Sequence, residues 1–137
     1  YLAKSDEALH AAKLLLENNL LESSVSSAYY SMYNTTIALM RKAGIKCENH
    51  TGNILLLKSA FGHPRLSKTL SDAKRERVDK QYYPDFKITK QEIESLVKTA
   101  EEFTIEIKLM IEEITPDKIA EARNFVEKIQ AEQISNN

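Results

Sequence analysis

Ser26-Ser27-Ala28-Tyr29-Tyr30-Ser31-Met32-Tyr33-Asn34 crowds three tyrosines among small side chains in the middle of a run, from about Leu20 to Ala43, that lacks both Gly and Pro. Val25, Tyr29, Met32, Thr36 and Met40 trace one helical face of that run, and Tyr30, Tyr33 and Ile37 trace the next. A helix with core-type residues on two faces is buried on more than one side, which makes it the axis of a helical assembly. Small side chains let a neighbouring helix approach closely, while the tyrosine rings fill the core and their hydroxyls seek partners. Packing is the natural reading of Tyr29. At Tyr30, Tyr33 and Asn34 two readings stand together: core packing, and a polar edge turned toward a cleft, since buried hydroxyls and amides must be paired.

The boundaries of this helix are legible. Gly44 stands where a left-handed C-cap is wanted, and Arg41 and Lys42 fall in the last turn, where positive charge favours the carbonyl end. Upstream, Leu2, Leu9, Ala12 and Leu16, widened by Ala8 and Leu15, form a short amphipathic helix that Asn18-Asn19 interrupt. Downstream, Asn49 or Thr51 can cap a third helix carrying Ile54, Leu57 and Phe61, which ends at Gly62 with Pro64 beyond. A fourth runs from about Arg65, with Leu66, Leu70, Ala73 and Val78 inward, to the Tyr82-Tyr83-Pro84 stretch.

Thr89 followed by Glu92 is a capping box in front of the best periodic stretch, in which Ile93, Leu96, Val97, Ala100, Phe103, Ile107, Met110, Ile111 and Ile114 hold one stripe. Thr115-Pro116 stops that helix and starts another, whose thin stripe of Ile119, Ala122, Phe125 and Ile129 must dock on the body or on another subunit. The expected architecture is an all-α, up-and-down bundle of about five helices over residues 1–114, with an appended C-terminal helix and tail over 115–137.

Composition agrees. Of 137 residues, 42% are hydrophobic and 28% charged, with only three Gly and three Pro, a balance poor in hairpin punctuation and rich in helix formers. The net charge of -1 gives no long-range field toward nucleic acid or an anionic membrane, so any nucleic-acid role must come from a local patch. Such a patch is offered by Arg65, Lys68, Lys74, Arg75, Arg77, Lys80, Lys87 and Lys90, which outnumber the acids between Arg65 and Lys90. An ordinary solvated helix face explains the same charges. No apolar run approaches the length needed to cross a bilayer, and the lone Cys47 cannot form an internal disulfide, which together suggest a cytoplasmic setting without membrane contact.

Few constellations carry chemistry. Glu7 and His10 share a helical face at three-residue spacing, but neither His50 nor His63 has a Glu three residues before it, so a di-iron ligand set is missing. No Gly-rich phosphate loop or zinc-protease motif occurs, and no metal or cofactor is implied. Cys47 lies beside Glu48, whose charge would raise its thiol pKa and make it a poor nucleophile.

Taken in order, Ala11-Ala12-Lys13-Leu14-Leu15, Ala28-Tyr29-Tyr30-Ser31-Met32-Tyr33, His50-Thr51-Gly52 and the segment from Arg75 to Asp79 resemble the HEPN family in its small stand-alone prokaryotic branch, over about residues 2 to 114. Ser27 stands where that branch often has Arg, and Asn34 where it often has His. The resemblance implies a helical bundle, often homodimeric, commonly encoded beside a minimal nucleotidyltransferase as a toxin-antitoxin pair. It further implies, for active members, metal-independent RNA cleavage by an Arg followed four to six residues later by a His, with two such motifs sharing one cleft across the dimer. Here no histidine follows Arg75 or Arg77, and Lys80 stands five residues beyond Arg75.

That departure matters chemically. Abstracting a 2'-hydroxyl proton calls for a base that is partly free near neutral pH, as imidazole is, whereas an unperturbed Lys is protonated. Lys80 suits the holding of a phosphate better than the moving of a proton. Tyr82, seven residues after Arg75, matches a tyrosine that the nucleotidyltransferase-paired branch often carries and that its partner modifies with AMP; a helix-end aromatic packed beside Pro84 is the more ordinary reading of it. The expected function is an RNA- or nucleotide-associated binding module that engages its ligand through Arg75, Arg77, Lys80, Tyr82, Tyr30, Tyr33 and Asn34. Two alternatives stay open. One is a metal-independent endoribonuclease using Arg75 with Lys80, or with His50 brought in by folding; the other is a purely structural assembly partner.

Overall fold

A computed structural model describes residues 1–82 and 88–135, with side chains described over 1–78 and 88–133. Among the described residues six helices make up the fold: α1 (Leu2–Glu17), α2 (Leu21–Lys42), α3 (His50–Ser59), α4 (Pro64–Tyr82), α5 (Lys90–Glu113) and α6 (Pro116–Ser135). Among the described residues there is no strand, and no helix is long and apolar enough to cross a membrane. The protein is an all-α bundle.

α2 is its axis: α1, α3, α4 and α5 all pack on it, and twelve of its 22 residues are buried. Tyr29, Met32, Leu39 and Met40 from α2 meet Leu57, Leu66, Leu70, Phe103 and Ile107 in one core. Close approach of α1 to α2 rests on small polar residues whose hydroxyls find carbonyl acceptors. Ser24 Oγ donates to the Ala12 carbonyl at 2.8 Å, and Ser5 Oγ to the Ser31 carbonyl at 2.7 Å. Here the apolar periodicity of α1 misleads. Leu2 remains 38% exposed while Ser5 is fully buried, because contact between two backbones selects for side-chain size before hydrophobicity.

The turns follow from their residues. Asn19 takes φ 59, a left-handed conformation that Asn tolerates, and reverses the chain between α1 and α2. Gly44, at φ 73, ends α2 as a left-handed residue should. Asn49 caps α3 by accepting from the Gly52 amide at 2.9 Å, and Thr89 caps α5 by accepting from the Glu92 amide at 3.1 Å.

On α4, Leu66, Leu70 and Ala73 are buried as their spacing predicts, but Val78 is only half-buried. Spacings of four, three and four carry that stripe through residues 66, 70 and 73 to Arg77, which thus occupies a core-facing position. α6 lies on the bundle through a fully buried Ala122 and partly buried Ile119, Phe125 and Val126. Its Arg123 reaches the Gly44 turn.

Candidate functional site

Four rings converge where α2, the N-terminus of α3 and α4 meet. Tyr29 and Tyr33 lie one turn apart on α2, with centroids 6.0 Å apart and an interplanar angle of 15°. His50, the first residue of α3, stacks flat on Tyr33, with centroids at 3.9 Å and planes 6° apart, and its Nδ1 lies 2.5 Å from the Tyr29 hydroxyl. Tyr30 meets Tyr29, Tyr33 and His50 edge-on.

The loop that delivers His50 is pinned by several contacts. Tyr33 Oη donates to the Glu48 carbonyl at 3.2 Å, and the fully buried Asn53 donates to the Cys47 and Asn49 carbonyls at 2.9 and 3.0 Å. Gly52 is needed for that closeness. A Cβ there would stand 2.8 Å from Cys47 Sγ.

Arg77 closes the cluster from α4. Its guanidinium carbon lies 4.9 Å from the Tyr30 ring centroid and 5.6 Å from that of Tyr29, within cation–π range. None of its N–H groups has a hydrogen-bond or carboxylate partner among the described residues, and its Nε is buried. Lys74, one turn earlier, donates to Thr51 Oγ1 at 3.2 Å and likewise has no carboxylate partner among the described residues.

Electrostatics follow from this geometry. Burial, and then the neighbouring Arg77 and Lys74 charges, push the His50 pKa below its ordinary value, which keeps the imidazole neutral near pH 7. Burial raises the Tyr29 hydroxyl far above the usual phenol range, with Tyr33 adding to the effect and Arg77 opposing it. Burial also raises Tyr33, and Cys47 beside it adds to the shift. Both phenols are therefore protonated, uncharged donors across the physiological range.

The structure divides the expected ligand residues. Arg77, Tyr30, Tyr33 and His50 come together, joined by Tyr29, whose natural sequence reading is packing, by Lys74 of the basic stretch, and by Thr51, a candidate cap of α3. Asn34 turns its amide onto its own helix, donating to the Tyr30 carbonyl at 2.8 Å. Arg75 points elsewhere. Its side chain is 69% exposed, lies 3.7 Å from Asp72, and lines a groove of about 580 Å³ between α3 and α4 with Ile54, Leu55, Lys58 and Lys68, which adjoins the cluster at Thr51. Lys80 and Tyr82 fall in the last turn of α4, but their side chains lie outside the described residues. The signal that marks Arg77 was available: a cation where the α4 stripe calls for an apolar residue. Nothing local marks His50, which reaches Tyr29 across 21 residues.

The HEPN domain family model matches residues 1–113. The chain is 29% identical over 115 residues, covering 80% of it and 85% of the relative, to a Methanocaldococcus jannaschii protein named "putative toxin". It is 31% identical over 128 residues to a UPF0332 protein of Pyrococcus horikoshii, covering 88% of this chain and 87% of that one. A UPF0332 protein of Thermotoga maritima is 26% identical over 116 residues, with coverage of 81% and 88%.

Proposed function

Because the chain belongs to the HEPN domain family, we propose that it is a toxin-like, RNA- or nucleotide-associated binding module, paired with a minimal nucleotidyltransferase and acting as a homodimer. The toxin-like part of this reading is supported by the name of the Methanocaldococcus relative. One observation carries the ligand class. Arg77 is half-buried against two tyrosine faces, with all its donors unclaimed among the described residues. A guanidinium held in that way costs the fold desolvation and returns only cation–π contact, which is the expected state of a group waiting for an anion.

Arg77 and Lys74 would hold a phosphate, and the half-buried Tyr30 offers a ring on which a base can stack. Binding of a short single-stranded RNA, followed across salt concentration, tests the reading. Affinity must fall with rising salt, because phosphate contacts release counterions, and Arg77→Ala must weaken it. Salt-insensitive association would leave only the structural-partner alternative, and an unaffected Arg77→Ala protein would take Arg77 out of the site.

A catalytic reading has one observation in its favour, a neutral imidazole at His50 between Arg77 and Lys74. Under it, His50 would accept the 2'-hydroxyl proton while Arg77 steadies the phosphorane charge. RNA cleavage measured from pH 5 to 9 decides between the readings: robust cleavage abolished by His50→Ala would replace the binding module with an endoribonuclease.

A further inference from the structure

His50 has two ring nitrogens, and the structure distinguishes them. Nδ1 meets the Tyr29 hydroxyl at 2.5 Å. His50 is half-buried, and its Nε2 makes no hydrogen bond among the described residues. The Tyr29 proton decides which nitrogen is protonated. Tyr29 is fully buried, and its hydroxyl has no other hydrogen-bond partner among the described residues. If Nδ1 carried the proton and donated to Tyr29 Oη, the phenol O–H would itself be buried without an acceptor. A phenol donating to an unprotonated Nδ1 satisfies both groups.

We infer that Tyr29 is a positioning residue that holds neutral His50 with its proton on Nε2, so that this second nitrogen is a hydrogen-bond donor to a phosphoryl oxygen. The inference rests on the proposed phosphate-binding role and deepens it. His50, Arg77 and Lys74 form a set of donors that suits a phosphate group, and no group among the three accepts a proton. The flat stack on Tyr33 and the edge contact with Tyr30 hold the imidazole plane in place, so Tyr29 sets the tautomer and its neighbours set the orientation. The same arrangement explains why a neutral imidazole beside two cations need not be a catalyst: its Nε2 already carries a proton, and its basic nitrogen is occupied by Tyr29.

Long-range proton–nitrogen spectra of ¹⁵N-histidine-labelled protein at pH 7.5 test this, with His50 assigned through His50→Gln. The expected result is a protonated-type Nε2 and an unprotonated-type Nδ1 in the wild type, the two averaging in Tyr29→Phe. Tyr33→Phe should leave the tautomer alone. Added inorganic phosphate should move the Nε2 resonance, and Tyr29→Phe should weaken phosphate binding by about five-fold, the worth of an ordinary hydrogen bond. A wild-type spectrum with the proton on Nδ1 overturns the inference without any variant, and so does an unchanged tautomer in folded Tyr29→Phe. Histidine resonances indifferent to phosphate, with RNA still bound through Arg77, would remove His50 from the site and leave the binding function standing. A correct tautomer and a phosphate response without RNA binding would do the reverse.

Discussion

Replacing Arg77 with leucine separates a residue kept for a ligand from one kept for the fold. In the wild type the guanidinium gains cation–π contact with Tyr30 and Tyr29, worth about 0.5–1 kcal/mol at a partly exposed site. Against this, the buried Nε without a partner costs about 1–3 kcal/mol. Leucine removes both contributions and extends the apolar stripe of Leu66, Leu70 and Ala73 by one position. The net change in unfolding free energy should be a gain of between about 0 and 2.5 kcal/mol, so Tm should be unchanged or raised by up to about 10 °C for a domain of this size. Binding should respond very differently. Each charge-assisted hydrogen bond to phosphate is worth about 1.5–3 kcal/mol, so affinity for short single-stranded RNA should drop by about 10- to 100-fold. The slope of log affinity against log salt should shrink by about 0.7, one single-strand phosphate contact. Urea unfolding and fluorescence anisotropy across salt, on the same preparations, give both numbers. An Arg77→Leu protein that loses more than about 3 kcal/mol of stability while binding RNA unchanged would refute the reasoning and make Arg77 a structural residue.

Stability should also depend on pH through His50. The folded protein holds this histidine below its ordinary value of 6.5, so the unfolded chain takes up the proton first, and stability present above pH 6.5 is lost as pH falls toward the folded value. His50→Phe should flatten that segment of the urea-midpoint profile between pH 5 and 7. Gly52→Ala would bring a Cβ to within 2.8 Å of Cys47 Sγ and should cost about 1–3 kcal/mol in chemical unfolding, the usual penalty of overpacking. Arg75→Ala, at an exposed position with one surface ion pair, should change stability by less than about 0.5 kcal/mol and weaken RNA binding less than Arg77→Ala does. Deleting residues 115–137 should leave a cooperatively folding helical protein by circular dichroism, because the buried attachment of α6 centres on Ala122.

Most of the helical architecture can be read from residues close together in the chain. Capping depends on neighbours, which is why Asn49, Thr89 and Gly44 declare their roles, and the stripe of α5 repeats often enough to place Ile93, Val97, Ala100, Phe103 and Ile107 in the core. The reading failed where two backbones touch. Ser5 and Ser24 are buried because they are small and find carbonyls across α1 and α2, a circumstance invisible to a hydrophobicity pattern. It also overextended the α4 stripe to Val78, when the same spacing led to Arg77.

Composition, periodicity and caps determined an all-α bundle around the tyrosine-bearing helix, because each depends on side chains within a few residues of one another along the chain. The grouping of the cations was decided only in three dimensions. A helical turn of 3.6 residues sends Arg75 and Arg77, two positions apart, in directions about 200° different, so one meets a groove and the other a wall of tyrosines. The proximity of His50 to Tyr29 depends on where the loop after Gly44 returns the chain, a matter of packing among distant segments that no local pattern encodes.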